Sequence, residues 1–266
     1  MTTGVVIVAN RSDKIDYPAI ALWNARRVVW YLGLPVTIIT DANINPRTNI
    51  NVIQHTTQSN NKRYFTDVND TVSWNNSRRY SVYELSPYDT TILIDADYIV
   101  SSDALFSLTL SNADFQCFRQ SYSVTGDTNF DNLQHFGDLK IPMAWATVLV
   151  FKKGEVAKTI FEYMAMVENN YAHYAELYKF APTPYRNDYA LSIALLLAYG
   201  QTASTAEWAI PWALPATSPD HQVELITQGA FRVCWTEYDG KQKHITVSNT
   251  DLHVMGKRYL EKMMYD

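Results

Sequence analysis

Two aspartates separated by one residue follow an apolar run near the middle of the chain, in TTILIDADYIV, residues 90–100. The run predicts a buried strand, and a hydrophobic core has no use for two carboxylates at its end. Side chains i and i+2 of an extended segment point to the same side. We therefore predict that Asp95 and Asp97 converge at the carboxyl end of this strand, the edge where open α/β sheets bind ligands.

This pair of carboxylates predicts a bound metal ion. Close carboxylates repel each other unless a cation lies between them. Oxygen ligands suit a hard divalent ion, Mn²⁺ or Mg²⁺, which keeps coordination positions for phosphate oxygens. A chain of this aspartate content contains about one such pair by chance, so the alternative interpretation is an exposed turn with two solvated acids. The position directly after a buried strand favours the metal site.

The first 40 residues predict the elements that begin such a sheet. Residues 4–9 (GVVIVA) are a continuous β-branched strand, Pro18 opens a helix that Gly33 ends, and residues 35–40 (PVTIIT) are a second buried strand. Strand, helix and strand in this order form a βαβ unit. We predict an α/β fold whose sheet begins parallel and doubly wound, with helices on both faces.

The rest of the chain continues this alternation around two polar stretches. Residues 41–76 predict a long loop with one weak strand at INVIQH, and residues 124–140 predict a flexible loop. A short helix is predicted over residues 77–85. The further predicted strands are DFQCFRQ, MAWATVLVF, FRVCW and KHITVS, and the further predicted helices cover residues 153–178, residues 188–199 and the segment from Gly256.

Composition limits the class of protein. Hydrophobic residues are 47% of the 266, enough for a sizeable core, and the net charge of -5 argues against wholesale nucleic-acid binding while leaving a local basic groove open. Cys117 and Cys234 have no zinc spacing and form no disulfide framework. The sequence shows no basic leader and no apolar run of membrane-spanning length. We therefore predict a cytoplasmic protein.

The segment LSPYDTTILIDADYIV resembles the metal-binding strand of GT-A glycosyltransferases, in particular the retaining glycogenin- and galactinol-synthase-like family, whose YDKVLYLDADTLV-like segment carries the Asp-x-Asp. The resemblance implies one GT-A domain over residues 1–266, an α/β fold with a Rossmann-like, mixed but mainly parallel sheet flanked by helices. Its nucleotide-binding half, residues 1–100, ends in the Asp-x-Asp, and residues 101–266 form the half that binds sugar and acceptor.

Two further segments extend the resemblance on the donor side. Arg79, in NNSRRYSVYEL, matches a basic residue that faces the donor phosphates in that family, although Arg78 is the neighbouring candidate. MAWATVLVF resembles the FNAGVLLF-type strand that lines the donor sugar pocket. Trp145 and Ala146 then take the positions of the family's Asn and Ala, and the missing amide is a departure from the pattern.

YRNDYALSIAL resembles the family's DQDALN-type helix start. The resemblance gives Asp188 the role of the carboxylate that approaches donor sugar and acceptor. On local grounds Asn187 or Asp188 is equally well explained as a cap of the following helix.

LHVMGKRYL resembles a His-x-x-Gly motif followed by a lysine, in which the histidine is the third metal ligand. His253 and Gly256 fit that frame, and backbone N–H groups near the glycine are suited to phosphate. The family's lysine lies slightly later, so either Lys257 or Arg258 takes the phosphate contact.

Together these segments imply a glycosyltransferase that uses Mn²⁺ or Mg²⁺ and a nucleotide-sugar donor, with UDP as the family's nucleotide. Ala9 and Asn10, with Asp13 or Tyr17, then border the base and ribose. The acceptor is left open among a small sugar, a protein, a glycan and a modified nucleobase, and the two polar loops are candidate acceptor or lid segments.

Two other functions are compatible with the same residues. A nucleotidyltransferase also uses metal-bound aspartates on this type of sheet, but it usually has a glycine-rich phosphate loop after the first strand, and VANRSDKIDYP lacks one. A non-catalytic binding protein with a decayed site is the other alternative, for which Trp145 in place of the amide is the main argument.

Overall fold

The computed structural model describes residues 1–46, 48–56, 62–65, 69–73, 75, 77–128, 133–182, 184–200 and 204–265. The strands within these residues are β1 (Thr3–Val8), β2 (Val36–Thr40), β3 (Ile50–Gln54), β4 (Lys62–Phe65), β5 (Asp70–Ser73), β6 (Thr90–Asp95), β7 (Tyr98–Ile99), β8 (Phe115–Phe118), β9 (Ser121–Ser123), β10 (His135–Phe136), β11 (Ile141–Pro142), β12 (Trp145–Lys152), β13 (Leu214–Thr217), β14 (Gln222–Thr227), β15 (Ala230–Thr236), β16 (Gln242–Ser248) and β17 (Leu252–Val254).

The helices of the described residues are α1 (Tyr17–Leu32), α2 (Val82–Leu85), α3 (Ala104–Thr109), α4 (Glu155–Asn169), α5 (Tyr171–Tyr178), α6 (Asn187–Tyr199) and α7 (Lys257–Tyr265). Short 3₁₀ turns lie at Arg79–Ser81 and Thr205–Glu207. None of the described helices is both long enough and apolar enough to cross a lipid bilayer.

A six-stranded sheet in the order β3-β2-β1-β6-β12-β8 forms the centre of the fold. The first four strands in that order run parallel to their neighbours, and β12 is antiparallel to both β6 and β8. The prediction of a mixed, mainly parallel α/β sheet flanked by helices is confirmed.

Successive side chains along the central strands point to opposite faces of the sheet, and a hydrophobic cluster lies on each face. Val5 and Ile7 of β1 pack on the α1 face, and Val6 packs on the opposite face with α4 and α6. Because both faces of the sheet are covered, these strands are mostly apolar along their length and show no apolar–polar alternation.

The predicted limits of α1 are confirmed in physical detail. The Asp16 carboxylate accepts a hydrogen bond from the backbone N–H of Ala19, and a proline lies in the first turn. Gly33 ends the helix in the left-handed region, at φ 64°, which glycine adopts without a Cβ penalty.

A second sheet, in the order β7-β17-β13-β9, joins the middle of the chain to its last strand. In it β17 pairs antiparallel with β7 and parallel with β13. A third sheet, β14-β15-β16, is an antiparallel meander. The predicted strands FRVCW and KHITVS are confirmed as β15 and β16, whereas the strands of the second sheet escape prediction because they contain too few residues to show a period.

The predictions for the polar stretches are partly wrong. In residues 41–76 the weak strand is confirmed as β3, but β4 and β5 form an antiparallel hairpin that the sequence does not predict. The stretch 124–140 includes β10, which pairs with β11. The helix predicted over residues 77–85 begins as a 3₁₀ turn and becomes α-helical only in α2. Residues 47, 57–61, 66–68, 74, 76 and 129–132, which belong to these predictions, lie outside the described residues.

Candidate functional site

A cleft opens at the edge of the central sheet where β1 and β6 end and β12 begins. Its position follows from the sheet order, because the carboxyl ends of parallel strands meet the amino end of the antiparallel strand at one edge. The described residues that line it are Val8, Ala9, Asn10, Tyr17, Tyr64, Asn75, Arg79, Asp95, Ala96, Asp97, Trp145, Ala146, Thr147, Arg186, Asn187, Asp188, Pro219, His253, Met255 and Lys257.

The two aspartates converge in this cleft, but not by the predicted route. The strand ends at Asp95, and Ala96 and Asp97 form a turn before β7 begins, so the idea of one extended segment carrying both acids is wrong. The turn places a carboxylate of each residue in one cluster with an imidazole nitrogen of His253, and these ligand atoms lie within 4.8 Å of one another.

The pairing of β17 with β7 brings His253 to the aspartates. His253 lies opposite Tyr98 in the register, and the backbone N–H of Val254 donates to the carbonyl of Asp97 at 2.9 Å. The Nε2 atom of His253 is then 3.6 Å from Oδ1 of Asp97. A backbone ladder therefore fixes the contact between two parts of the chain that are distant in sequence.

These three residues fit a divalent metal ion by their chemistry. Two carboxylates and one imidazole are an oxygen and nitrogen ligand set suited to Mn²⁺, and Mg²⁺ accepts the same carboxylates. Their ligand atoms lie close enough together for one ion to be held among them.

Each carboxylate of the cleft is also paired with a cationic side chain. Asp95 contacts the Arg79 guanidinium, and Asp97 contacts the Lys257 ammonium. Asp188 pairs with Arg186, with 3.0 Å between Nη2 of the arginine and Oδ2 of the aspartate. Among the described lining residues, three cations therefore balance three carboxylates when His253 is neutral.

In each of the two pairs of neighbouring basic residues, one side chain is buried and the other is exposed. Arg79 is buried and lines the cleft, whereas the side chain of Arg78 is exposed. Lys257 is likewise buried against Asp97, and Arg258 is exposed.

Gly256 is not among the described residues that line the cleft, although Met255 and Lys257 on either side of it are. A Cβ at this position would lie 2.9 Å from the carbonyl oxygen of Pro219. The close approach of the turn at Pro219 therefore accounts for the glycine at this position, and its contact with phosphate stays a prediction.

The peptide of Ala146 connects the aspartate cluster with Asp188. Its carbonyl accepts from Nη2 of Arg79 at 2.7 Å, and its N–H donates to Oδ1 of Asp188 at 2.9 Å. These groups are available because β12 pairs with β6 only from Val148 onward. Trp145, the first residue of β12, is 3% exposed and lines the same end of the cleft.

The capping explanation of Asp188 is wrong. The N-cap of α6 is Arg186, and no side chain makes a capping hydrogen bond there. Both oxygens of the Asp188 carboxylate instead bond outside the helix, to Ala146 and to Arg186. Burial alone would lower the pKa of Arg186, but Asp188, with Tyr189 and Tyr171, raises that pKa overall, so Arg186 is charged.

Ala9 and Asn10 lie at the other end of the cleft, where β1 ends, with Tyr17 beside them. The side-chain amide of Asn10 donates to the carbonyl of Asn75 at 3.1 Å. Asp13, the alternative to Tyr17, is exposed and accepts from the backbone N–H of Ser73, and it is not among the described lining residues.

Sequence reasoning missed several lining residues, chiefly Arg186, Tyr64 and Asn75. Arg186 could have been predicted, because it stands two positions before Asp188 in the candidate segment YRNDYALSIAL. Tyr64 belongs to β4, in a stretch predicted as loop, and no local pattern indicates that it reaches the end of β1.

No protein-family model matches the chain, and no curated protein sequence matches it. The glycosyltransferase GlyE of Streptococcus pneumoniae TIGR4 is similar at 14% sequence identity, over 76% of this chain and 44% of its own, with a TM-score of 0.41. The galactosyltransferase LgtC, in complex with donor and acceptor sugar analogs, is similar at 14% identity over 73% of this chain and 70% of its own, with a TM-score of 0.45. The bifunctional glycosyltransferase WbbM is similar at 16% identity over 62% of this chain and 34% of its own, with a TM-score of 0.36. The chain thus spans less than half the length of GlyE.

Proposed function

We propose that this protein is a metal-dependent glycosyltransferase that moves a sugar from a nucleoside diphosphate, most simply UDP, to an acceptor. The observation that carries the proposal is the cluster of Asp95, Asp97 and His253 at the ligand-binding edge of the sheet. The resemblance of DADYIV, NDYAL and HVMGK to retaining GT-A enzymes supports the same function.

The charge of the cleft supports a diphosphate. Its three cations and three carboxylates cancel, so a bound divalent ion adds two positive charges. A nucleoside diphosphate esterified with a sugar carries two negative charges on its phosphates. The donor therefore restores neutrality in a partly buried site, where an unbalanced charge is expensive.

The order of strands along the sheet edge suggests how the donor lies. Ala9 and Asn10 at the end of β1 border the base and ribose, with Tyr17 and Tyr64 as aromatic neighbours. The aspartates after β6 come next, and the start of β12 follows on the other side. The sugar then lies beside Trp145, Ala146 and Asp188.

The metal ion, held by Asp95, Asp97 and His253, would act as a Lewis acid on the phosphates. Cleavage of the bond between the anomeric carbon and the phosphate oxygen leaves the electron pair on the diphosphate. Arg79 and Lys257 stabilise the growing negative charge there. The sugar acquires oxocarbenium character, which the Asp188 carboxylate stabilises from the other side.

By analogy with the family that it resembles, the protein transfers the sugar with retention of configuration, and the departing phosphate takes the proton of the acceptor. We propose one catalytic domain over residues 1–266, with its nucleotide-binding half ending at the aspartates. The acceptor remains one of the classes named from the sequence.

The test is a donor screen. The purified protein is incubated with a panel of UDP-, GDP-, ADP- and CDP-sugars and Mn²⁺, and release of the nucleoside diphosphate is measured with water as the default acceptor. We expect release from one nucleotide class, with loss in EDTA. Asp97→Asn, which keeps the shape of the side chain and removes its charge, should lower the release by about 100-fold or more.

Asp103→Asn is the matched control, because Asp103 precedes α3 and is not among the residues that line the cleft. It should release the diphosphate at the rate of the unchanged protein. Release that persists in both EDTA and Asp97→Asn would contradict the metal assignment, and no release from any donor would contradict sugar transfer.

A further inference from the structure

We infer that the ion pair between Arg186 and Asp188 makes the donor site selective for an uncharged sugar, so that hexoses are bound and the corresponding uronates are rejected. This inference rests on the proposed function and adds the chemical class of the transferred group. Its basis is the fixed geometry and the charge balance at the sugar end of the cleft.

The geometry leaves Asp188 little freedom. Its Oδ1 atom accepts from the backbone N–H of Ala146 at 2.9 Å, and its Oδ2 atom accepts from Nη2 of Arg186 at 3.0 Å. The guanidinium itself lies over the Tyr189 ring, with its central carbon 4.8 Å from the ring centroid. The ion pair is therefore a preorganised part of the wall of the cleft.

The pair is also shielded enough from water for its charge to matter. The side chains of Arg186 and Asp188 are 28% and 20% exposed. Charges at this depth interact through an effective dielectric constant far below that of water. A carboxylate brought beside the pair meets Asp188 as well as Arg186, so attraction and repulsion largely offset each other.

The charge of the whole cleft gives the same result. After the divalent ion and the two phosphates are in place, the described lining residues leave no positive charge uncompensated. A uronate would add one negative charge that has no partner and would lose its hydration. Burial of an unpaired carboxylate is strongly unfavourable, whereas a neutral hydroxymethyl group carries no such penalty.

Two single substitutions separate the partners of this ion pair. Asp188→Asn keeps an oxygen for the Ala146 N–H and leaves Arg186 with an uncompensated positive charge. Arg186→Gln keeps a hydrogen-bond donor and leaves Asp188 with an uncompensated negative charge. Neither change touches the Asp95, Asp97 and His253 cluster, so affinity for the bare diphosphate reports that the site is intact in each variant.

The experiment is calorimetric titration in Mn²⁺ with UDP, UDP-glucose, UDP-glucuronate, UDP-galactose and UDP-galacturonate. When GDP rather than UDP is the diphosphate bound, GDP-mannose and GDP-mannuronate form the pair. We expect the unchanged protein to bind the better hexose donor at least roughly tenfold more tightly than its uronate, a difference of about 1.4 kcal/mol.

Asp188→Asn should reduce that ratio by about tenfold or invert it, and Arg186→Gln should increase it, while both variants still bind the bare diphosphate saturably in Mn²⁺. Equal affinity for hexose and uronate in the unchanged protein would overturn the inference, as would a ratio that is the same in all three proteins. Absence of binding of every bare diphosphate in Mn²⁺ would instead overturn the proposed function.

Discussion

At the scale of the residue, each carboxylate of the cleft forms an ion pair with a cationic side chain, and two of the three cations come from distant parts of the chain. Arg79 comes from the turn before α2, Lys257 from the start of α7 and Arg186 from the residue before α6. Removal of one partner from a buried pair leaves an uncompensated charge, which costs far more than the pair contributes. Arg79 and Lys257 are the two cations for which we propose a contact with the donor phosphates.

Lys257 and Arg258 provide a direct comparison of neighbouring cations. Lys257→Met should weaken binding of a nucleoside diphosphate in Mn²⁺ by roughly tenfold or more, because it removes a buried charge next to the phosphates. Arg258→Met is the matched control and should bind within about twofold of the unchanged protein, since Arg258 is exposed. Equal losses in both variants would show that Lys257 has no special role.

The sequence narrowed the phosphate contact to these two residues but left them equivalent, because both fit the motif spacing within one position. Only Lys257 is buried and lines the cleft, which favours it for this contact, and burial depends on how α7 packs rather than on local pattern. The same holds for Arg78 and Arg79. Asp95, Asp97 and His253 are brought together as predicted, whereas the role of the Ala146 backbone has no sequence signal, since every residue has a peptide group.

At the scale of the element, a buried polar network fastens α1 and the last strand to β7. The Asp251 carboxylate accepts from the backbone N–H groups of Ser101 and Ser102 at 2.8 Å each and from the Tyr98 hydroxyl. Arg27 of α1 donates to the carbonyl of Val100 at 2.8 Å. This network holds β7 where it can pair with β17, and that pairing positions His253.

Asp251 gives the protein a pH-dependent stability of predictable sign. Burial raises the pKa of its carboxyl, against the opposing effect of the hydrogen bonds from Ser101, Ser102 and Tyr98. The folded state then binds the proton more tightly than the unfolded state does, so this group's contribution to the free energy of unfolding falls as pH rises from about 4 to the raised pKa.

Asp251→Asn should remove this dependence, because an amide oxygen still accepts from Ser101 and Ser102 and does not ionise. The measurement is urea unfolding of both proteins between about pH 4 and about pH 8. We expect the variant's free energy of unfolding to improve relative to the unchanged protein as pH rises. A difference that is constant over this range would contradict the raised pKa.

Gly4 in β1 is required by the packing of a neighbouring side chain. A Cβ at this position would lie 2.3 Å from the ring of Tyr88, which is 6% exposed and hydrogen-bonded to Thr37. Gly4→Ala should lower the free energy of unfolding in urea by about 1–3 kcal/mol, because the buried ring must move. Gly154→Ala, at a position with open space around it, should cost less. Equal costs would contradict this account.

The long elements were predictable and the short ones were not. Strands β1, β2, β6 and β12 and helix α1 have continuous apolar runs or clear caps, which local physics specifies. Strands of two to four residues, such as β7 and β17, form only because tertiary neighbours pair with them. The site depends on both classes, so the sequence indicates which residues meet but not how the backbone brings them together.

At the scale of the whole molecule, one edge of the central sheet arranges the proposed steps of donor binding. Strands β1, β6 and β12 are adjacent in the sheet, and their ends carry in turn Ala9 and Asn10, the aspartate cluster, and Trp145 and Ala146. We propose that these groups bind the nucleoside, the diphosphate and the sugar, in that order. With a neutral His253, the described lining residues of the cleft carry no net charge, and a bound divalent ion adds two positive charges. Metal binding and diphosphate binding should therefore reinforce each other.

Calorimetric titration with UDP, repeated with GDP, ADP and CDP, in Mn²⁺ and in EDTA, tests the central claim most directly. Asp97→Asn is titrated beside the unchanged protein as the site variant, and Asp103→Asn as the control. The account predicts saturable binding of one diphosphate in Mn²⁺ that weakens by about 100-fold or more in EDTA and in Asp97→Asn. Binding that is equally tight with and without metal, or no binding of any of the four diphosphates in Mn²⁺, would contradict it.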